Sequence, residues 1–194
     1  DAARAMRLGW LRDFAALPVA SRQTLASFRS RTHGAAAAVG YGKAAMLFVM
    51  LRDLLGEQQF RAGLQLFWQQ QRFRIAAWDD LRQAFEQASG QSLTIFFRQW
   101  LERDGAPKLQ IQSASTSTLA SGTGLTIEVT QSAPAYALRL PIEVNYGQRS
   151  ENRAVDIDDL QQKVALAVDG PAQSVVLDPQ LRLWRLLDAA QLPP

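Results

Sequence analysis

The apolar residues of this chain change period once, at Asp104-Gly105-Ala106-Pro107, and that change limits what the chain can become. Before it, large apolar residues recur three and four apart, which lines up one face of an α-helix. After it, they alternate with polar residues, as on a strand with one buried face. Two periods on a chain of 194 residues predict a multi-domain α and β fold. Residues 1–105 form a superhelical or orthogonal stack of helices, and residues 106–194 form an antiparallel β-sandwich.

The helical part carries its own punctuation. Residues 1–30 read as amphipathic, with Met6, Leu8, Trp10, Leu11 and Phe14 on the apolar side and Arg4, Arg7, Arg12 and Asp13 on the wet side. Pro18 breaks this helix, and Ser21 or Thr24 could cap a short one through Phe28. The small residues from Ala35 to Gly40 let the backbone pass close to something, either in a tight loop or along the wall of a cleft. Four helices are then predicted. One runs from about Lys43 to Leu55, ended by Gly56, with Leu47, Met50, Leu51 and Leu54 inward. A second runs from about Glu57 to Gln71 with a Phe60, Leu64 and Phe67 stripe. A third is capped near Asp79 or Asp80 and ends at Ser89-Gly90, burying Leu81, Ala84, Phe85 and Ala88. The fourth is capped by Ser92 and buries Leu93, Phe96, Phe97 and Trp100. Short links imply antiparallel neighbours.

Alternation marks the strands. Leu125, Ile127 and Val129 form one set, Leu138, Leu140, Ile142 and Val144 a second, and Val164, Leu166 and Val168 a third. Val175 to Leu177 make a last short strand before Asp178-Pro179. Pro141 has no N–H for a ladder, so its strand is expected at an edge or interrupted there. Ser and Thr crowd residues 113–123, and Leu192-Pro193-Pro194 reads as the start of a linker.

Composition removes several function classes. A net charge of +3 with no clustered basic stripe argues against nucleic acid as a partner. There is no cysteine, so disulfides and thiolate metal sites are excluded. No apolar run is long enough to span a bilayer as a helix. The chain opens on Asp1 without a Met or a leader, as a processed piece would, so any signal peptide would lie outside it.

No catalytic constellation stands in the residues themselves. The single histidine, His33, has no nearby Asp, Glu or Cys, which makes a poor metal site and favours a loop position. H-E-x-x-H, G-x-S-x-G and a phosphate-cradling P-loop are all missing. Asp156, Asp158 and Asp159 hint at calcium, but without the glycine and distal glutamate of an EF-hand they read as a solvated turn.

One ordered series goes further. Tyr41-Gly42-Lys43-Ala44 opens an apolar helix through Arg52, followed by Leu54-Leu55-Gly56-Glu57, Phe60, Gly63-Leu64, Phe73 and Phe96-Phe97-Arg98-Gln99-Trp100-Leu101. This series resembles the region just after the zinc site of the gluzincin aminopeptidases, the aminopeptidase N family. The resemblance covers about residues 20–105 and, more loosely, the strands through Asp178-Pro179. In that family zinc and its bound water sit on an upstream helical domain carrying H-E-x-x-H and a further Glu. The resemblance therefore implies the downstream piece of a bacterial zinc metallopeptidase, cytoplasmic or periplasmic, that removes N-terminal residues from peptides. Zinc would be the cofactor of the longer protein, with no metal ligand here, so the piece alone would be inactive. The implied partners are a peptide substrate and the upstream zinc-binding domain.

By the same resemblance Tyr41 is the catalytic residue, donating its hydroxyl to the oxyanion of the tetrahedral intermediate. A phenol is neutral near pH 7 and offers one directed donor, and such a donor in a dry site gives about 3 kcal/mol. Gly40 and Gly42 would flank the substrate cleft. Lys43 matches the motif lysine, read as structural and bonding helix-end carbonyls. Ala44 stands where the family usually has Gly, adding a methyl group and helix propensity. The alternative is a non-catalytic, peptidase-derived scaffold that binds peptide or protein; a broken upstream metal motif would favour it.

Overall fold

The computed structural model describes residues 1–30, 34–119 and 122–188. The chain divides into two compact units, one of Ala16–Gly105 and one of Asp1–Ala15 with Ala106–Pro194. His33 and the Leu192-Pro193-Pro194 segment lie outside the described residues.

The first unit is helical. A single 3₁₀ turn at Val19–Ser21 follows Pro18, and Thr24 then caps only a turn, accepting from the Ser27 N–H at 3.2 Å. The short helix predicted through Phe28 is therefore absent; three residues of turn cannot repeat the helical hydrogen bond. Helix α2 (Gly34–Ala37) runs through a wide turn at Ala38–Lys43 into α3 (Ala44–Leu55). Helices α4 (Glu57–Gln71), α5 (Trp78–Ser89) and α6 (Thr94–Glu102) complete it. Gly56, at φ 80°, ends α3 by donating its N–H to the Arg52 carbonyl, and its own carbonyl accepts from Phe60 as α4 begins. Only glycine takes that backbone without strain.

Two predicted caps are corrected. Helix α5 starts at Trp78, and Asp80 lies within its first turn, where its carboxylate accepts the Ala77 N–H at 2.7 Å. Ser92 does not cap α6. Glu86, projecting from α5, accepts the Leu93 N–H at 2.6 Å instead. A carboxylate one helix away does the same work with a full charge.

The core follows the predicted stripes with one displacement. Leu47, Met50, Leu51, Leu81, Ala84, Phe85, Leu93, Phe97 and Trp100 are buried. On α4, however, Phe60 and Phe67 are half-buried and Leu64 is exposed, while Gly63 is buried. A Cβ at Gly63 would stand 2.3 Å from the Phe85 ring. The missing side chain lets α5 come close, so the buried line of α4 runs through Gly63 and not through the aromatic stripe.

The second unit is built on two antiparallel sheets. Strands β1 (Leu109–Leu119), β2 (Gly122–Gln131) and β5 (Gln161–Val168) form one, in the order β1-β2-β5. Strands β3 (Leu138–Asn145), β4 (Ser150–Ile157) and β6 (Ser174–Leu177) form the other, in the order β4-β3-β6. The alternating residues of β2 and β3 are buried. Strands β1 and β4 carry too few apolar residues to declare themselves. Pro141 sits on the central strand β3, not on an edge. Its carbonyl accepts from Asp178 N–H at 2.8 Å, and pairing with β6 runs only from Ile142 onward. The ladder stops where the proline has no donor.

Helix α1 (Ala2–Ala15) belongs to this unit, burying Leu11 and Phe14, with the Phe14 ring 4.6 Å from that of Trp184. Its faces differ from the predicted ones. Met6 is exposed, and Arg7 is buried with its Nε donating to the Gln180 carbonyl at 3.0 Å. Residues 7, 11 and 14 share one helix face, and an arginine can lie there when its apolar stem packs and its head finds an acceptor.

Candidate active site around Tyr41

The turn that carries Tyr41 is a π-helix, Ala38–Lys43, set between α2 and α3. Such a turn widens the ladder by one residue, shifting the side chains on either side off a common face, and is frequent at functional sites. Here it sorts neighbours by depth. Val39, Gly42 and Lys43 are buried, while Tyr41 between them is 57% exposed.

Phe28 fixes how the tyrosine projects. Its ring lies against Gly40, where a Cβ would meet ring carbons at 2.2 Å. The same ring meets Tyr41 edge-on, with centroids 5.9 Å apart at 70°. Gly40 is thus the position that admits Phe28, and Phe28 props the Tyr41 ring. Gly42 is buried, so its missing side chain serves packing on the inner side of the turn.

Lys43 closes the turn from within. Its side chain is wholly buried, and Nζ donates to the Arg103 carbonyl at 2.5 Å. Arg103 is the C-terminal cap of α6, so a cation meets the negative end of a helix. The helix-end role read from the sequence is seen here. Burial drives its pKa down to about 8, with Asp104 pulling the other way.

Two cavities lie within the helical unit, the first of them lined in part by Phe28. One, of about 640 Å³, has walls of Phe28, Phe48, Phe67 and Trp78, with Arg29 and Asp79 as its charges. The other, of about 380 Å³, shares Trp78 and Asp79 and adds Arg82, Arg98 and Glu102. Arg82 binds both Asp79 and Glu86. Hydrogen bonds from Arg82 and then Gln83 hold the Asp79 carboxyl below its ordinary value. Sequence reasoning missed Phe28 and Trp78 because each looks like ordinary core; the only signal was the run of small residues ending at Gly40.

Among the described residues no three His, Cys, Asp or Glu side chains gather so as to hold a metal ion. The acidic run is a turn in fact: Asp158 and Asp159 are exposed between β4 and β5, and Asp156 faces Arg139 at 3.4 Å.

Residues 29–100 match the model of the peptidase family M1 domain, and that stretch contains the π-helical turn, its tyrosine and both cavities almost entirely. This part of the chain is similar to the M1 peptidase domain. Aminopeptidase N of Escherichia coli is 28% identical over 138 residues, 70% of this chain and 15% of that protein. Aminopeptidase N of Haemophilus influenzae is 38% identical over 74 residues, 38% of this chain and 8% of that protein. The crystal structure of Legionella pneumophila aminopeptidase A in complex with aspartic acid shares the fold, at a TM-score of 0.65 and 13% identity over 78% of this chain and 18% of that one. The chain therefore spans a small part of each relative. M1 aminopeptidases are in general zinc-dependent, and the described residues of this chain supply no donor set that fits zinc.

Proposed function

We propose that the chain is the downstream part of an M1 aminopeptidase, in which Tyr41 donates its hydroxyl to the oxyanion that forms when the peptide carbonyl is attacked. The observation that carries this reading is a solvent-facing tyrosine held on a π-helical turn by Phe28 and Gly40, within the M1-like segment. The phenol is free to donate outward while its ring is fixed, as preorganised oxyanion stabilisation requires. The aromatic-walled cavity that shares Phe28 offers apolar room for a substrate side chain beside that donor. Zinc would be bound by residues beyond this chain.

The test uses the longer protein, after its coding sequence upstream of Asp1 has been read for H-E-x-x-H and the further Glu. Tyr41→Phe is expected to lower kcat about a hundredfold or more with zinc content unchanged; an unchanged turnover removes Tyr41 from the mechanism. The 194-residue chain alone is expected to take up no stoichiometric zinc and to cleave no aminoacyl substrate. Tight one-to-one zinc uptake by it overturns the reading. A broken metal motif upstream leaves the scaffold that binds peptide without cleaving it.

A further inference from the structure

The C-terminal end of α6 is tied to Tyr41 by two routes. An α-helix leaves its final carbonyls without partners inside the helix. At this end two of the acceptors are taken by the segments that carry the tyrosine and its prop. The Leu101 carbonyl accepts the Ala26 N–H at 3.0 Å, which pins the turn two residues before Phe28. The Arg103 carbonyl, at the helix cap, accepts from Lys43 Nζ at 2.5 Å, two residues after Tyr41. The Phe28 segment and the π-helical turn therefore share one footing, and the edge-on contact of Phe28 with Tyr41 closes the circuit.

The second tie is a costly one. Any residue supplies the backbone N–H of the first, whereas Lys43 brings a cation that burial disfavours, with Asp104 only partly offsetting the loss. A methionine of similar length would pack there without that cost, but it could not donate to α6. The turn itself needs the donor. A π-helical turn holds one residue more than an α-helical ladder, and one residue is about 100° of helix rotation. If the turn tightened to the α pitch, Tyr41 would swing about the axis and leave Phe28. Lys43 is the residue at which the wide turn ends and α3 begins, so a bond from its side chain fixes the register there. It is wholly enclosed by this chain's own atoms, so the tie does not depend on what packs outside.

We propose that Lys43 is a positioning residue: by bonding the end of α6 it keeps the π-turn wide and holds the Tyr41 ring against Phe28. Its consequence for turnover rests on Tyr41 being the oxyanion donor; its consequence for the ring does not.

The test has two arms. In the first, the whole chain is labelled with 3-fluorotyrosine, which reports on Tyr41, Tyr136 and Tyr146 by fluorine NMR, with Tyr41 assigned by Tyr41→Phe. Lys43→Met is expected to move or split the Tyr41 resonance while those of Tyr136 and Tyr146, in the sheet unit, stay in place. Its thermal midpoint is expected to stay or rise, because a buried charge is gone. An unmoved Tyr41 resonance overturns the proposal. So does movement of all three together, which would make Lys43 a residue of general stability. In the second arm, Lys43→Met in the longer enzyme is expected to lower kcat about tenfold or more, with KM and zinc content unchanged. In a Tyr41→Phe background it is expected to cost nothing further, since the group it positions is already missing. A full additional loss there overturns the proposal. If Tyr41→Phe leaves turnover unchanged, the oxyanion reading falls by itself, and the fluorine arm decides the role of Lys43.

Discussion

Each unit buries a charge, and the two are treated differently. In the sheet unit Asp178 is wholly buried and fully answered: Arg185 Nε lies 2.9 Å from Oδ2, and the N–H groups of Arg182 and Leu183 donate at 2.6 and 3.3 Å. Burial pushes the Asp178 carboxyl above its ordinary value, and the Arg185 charge, then those donors, pull it back. In the helical unit Lys43 is equally buried, but its ammonium donates to one neutral carbonyl, and its pKa falls to about 8. The sheet unit uses its charge to close a loop around Asp178–Arg185. The helical unit tolerates an under-answered charge directly behind the turn that projects Tyr41. That difference fits a unit whose strain is gathered near a working surface.

The largest effect expected lies in the sheet unit. Asp178→Ala leaves the Arg185 guanidinium buried without its partner and strands two backbone donors, at a cost of about 3–5 kcal/mol. Urea unfolding reads this as a fall in midpoint with the slope unchanged, and Asp178→Asn should fall between wild type and alanine. A loss below about 1 kcal/mol would mean that the pair relaxes to water, and the contrast with Lys43 would fail.

The lysine gives the next effect, with a sign opposite to that of a salt bridge. Its folded pKa near 8 lies below the ordinary 10.5, so between those values the unfolded chain binds more protons than the folded one. Stability is therefore expected to rise with pH across that window, by about 3 kcal/mol, and to carry the full cost of the buried cation below it. Lys43→Met removes this slope. Unfolding free energies of the two proteins, measured from neutral pH upward, should differ by a term that shrinks as pH rises. A constant difference would show that Lys43 titrates normally and that its cation is well solvated.

How much of this was legible follows from how far each signal reaches. The 3.6 and 2.0 periods gave the helices and the strands β2, β3, β5 and β6 because each residue votes on its own element. They could not say which core an element joins: α1 is amphipathic, yet its buried line runs through Arg7, and it packs in the sheet unit. Strand β1 was invisible because a Ser/Thr edge strand with little to bury has no apolar alternation to read. Caps failed where the partner came from elsewhere in the chain, as Glu86 does for Leu93. Tyr41 itself was singled out only through the resemblance of the series around it to the aminopeptidase N family, since an exposed tyrosine has no pattern of its own. The π-turn beneath it left no trace in composition, and Phe28 declares its role only when Gly40 is beside it.

The smallest effects test whether burial or charge alone governs the helical unit. Arg61 pairs with Glu57 at 2.5 Å on α4, but both side chains are more than half exposed. Arg82 bridges Asp79 and Glu86 with only 23% of its side chain exposed, and Glu86 is the residue that caps Leu93. If position governs the energetics, Arg61→Ala should shift unfolding by less than about 0.5 kcal/mol, and added salt should erase even that. Arg82→Ala should cost more, about 1 kcal/mol, because it also loosens the carboxylate that starts α6. Equal losses from both arginines would mean that net charge, and not what each group touches, sets the stability of the helical unit. The reading of Lys43 as a local strain behind Tyr41 would then lose its footing, because a smeared field has no place to act from.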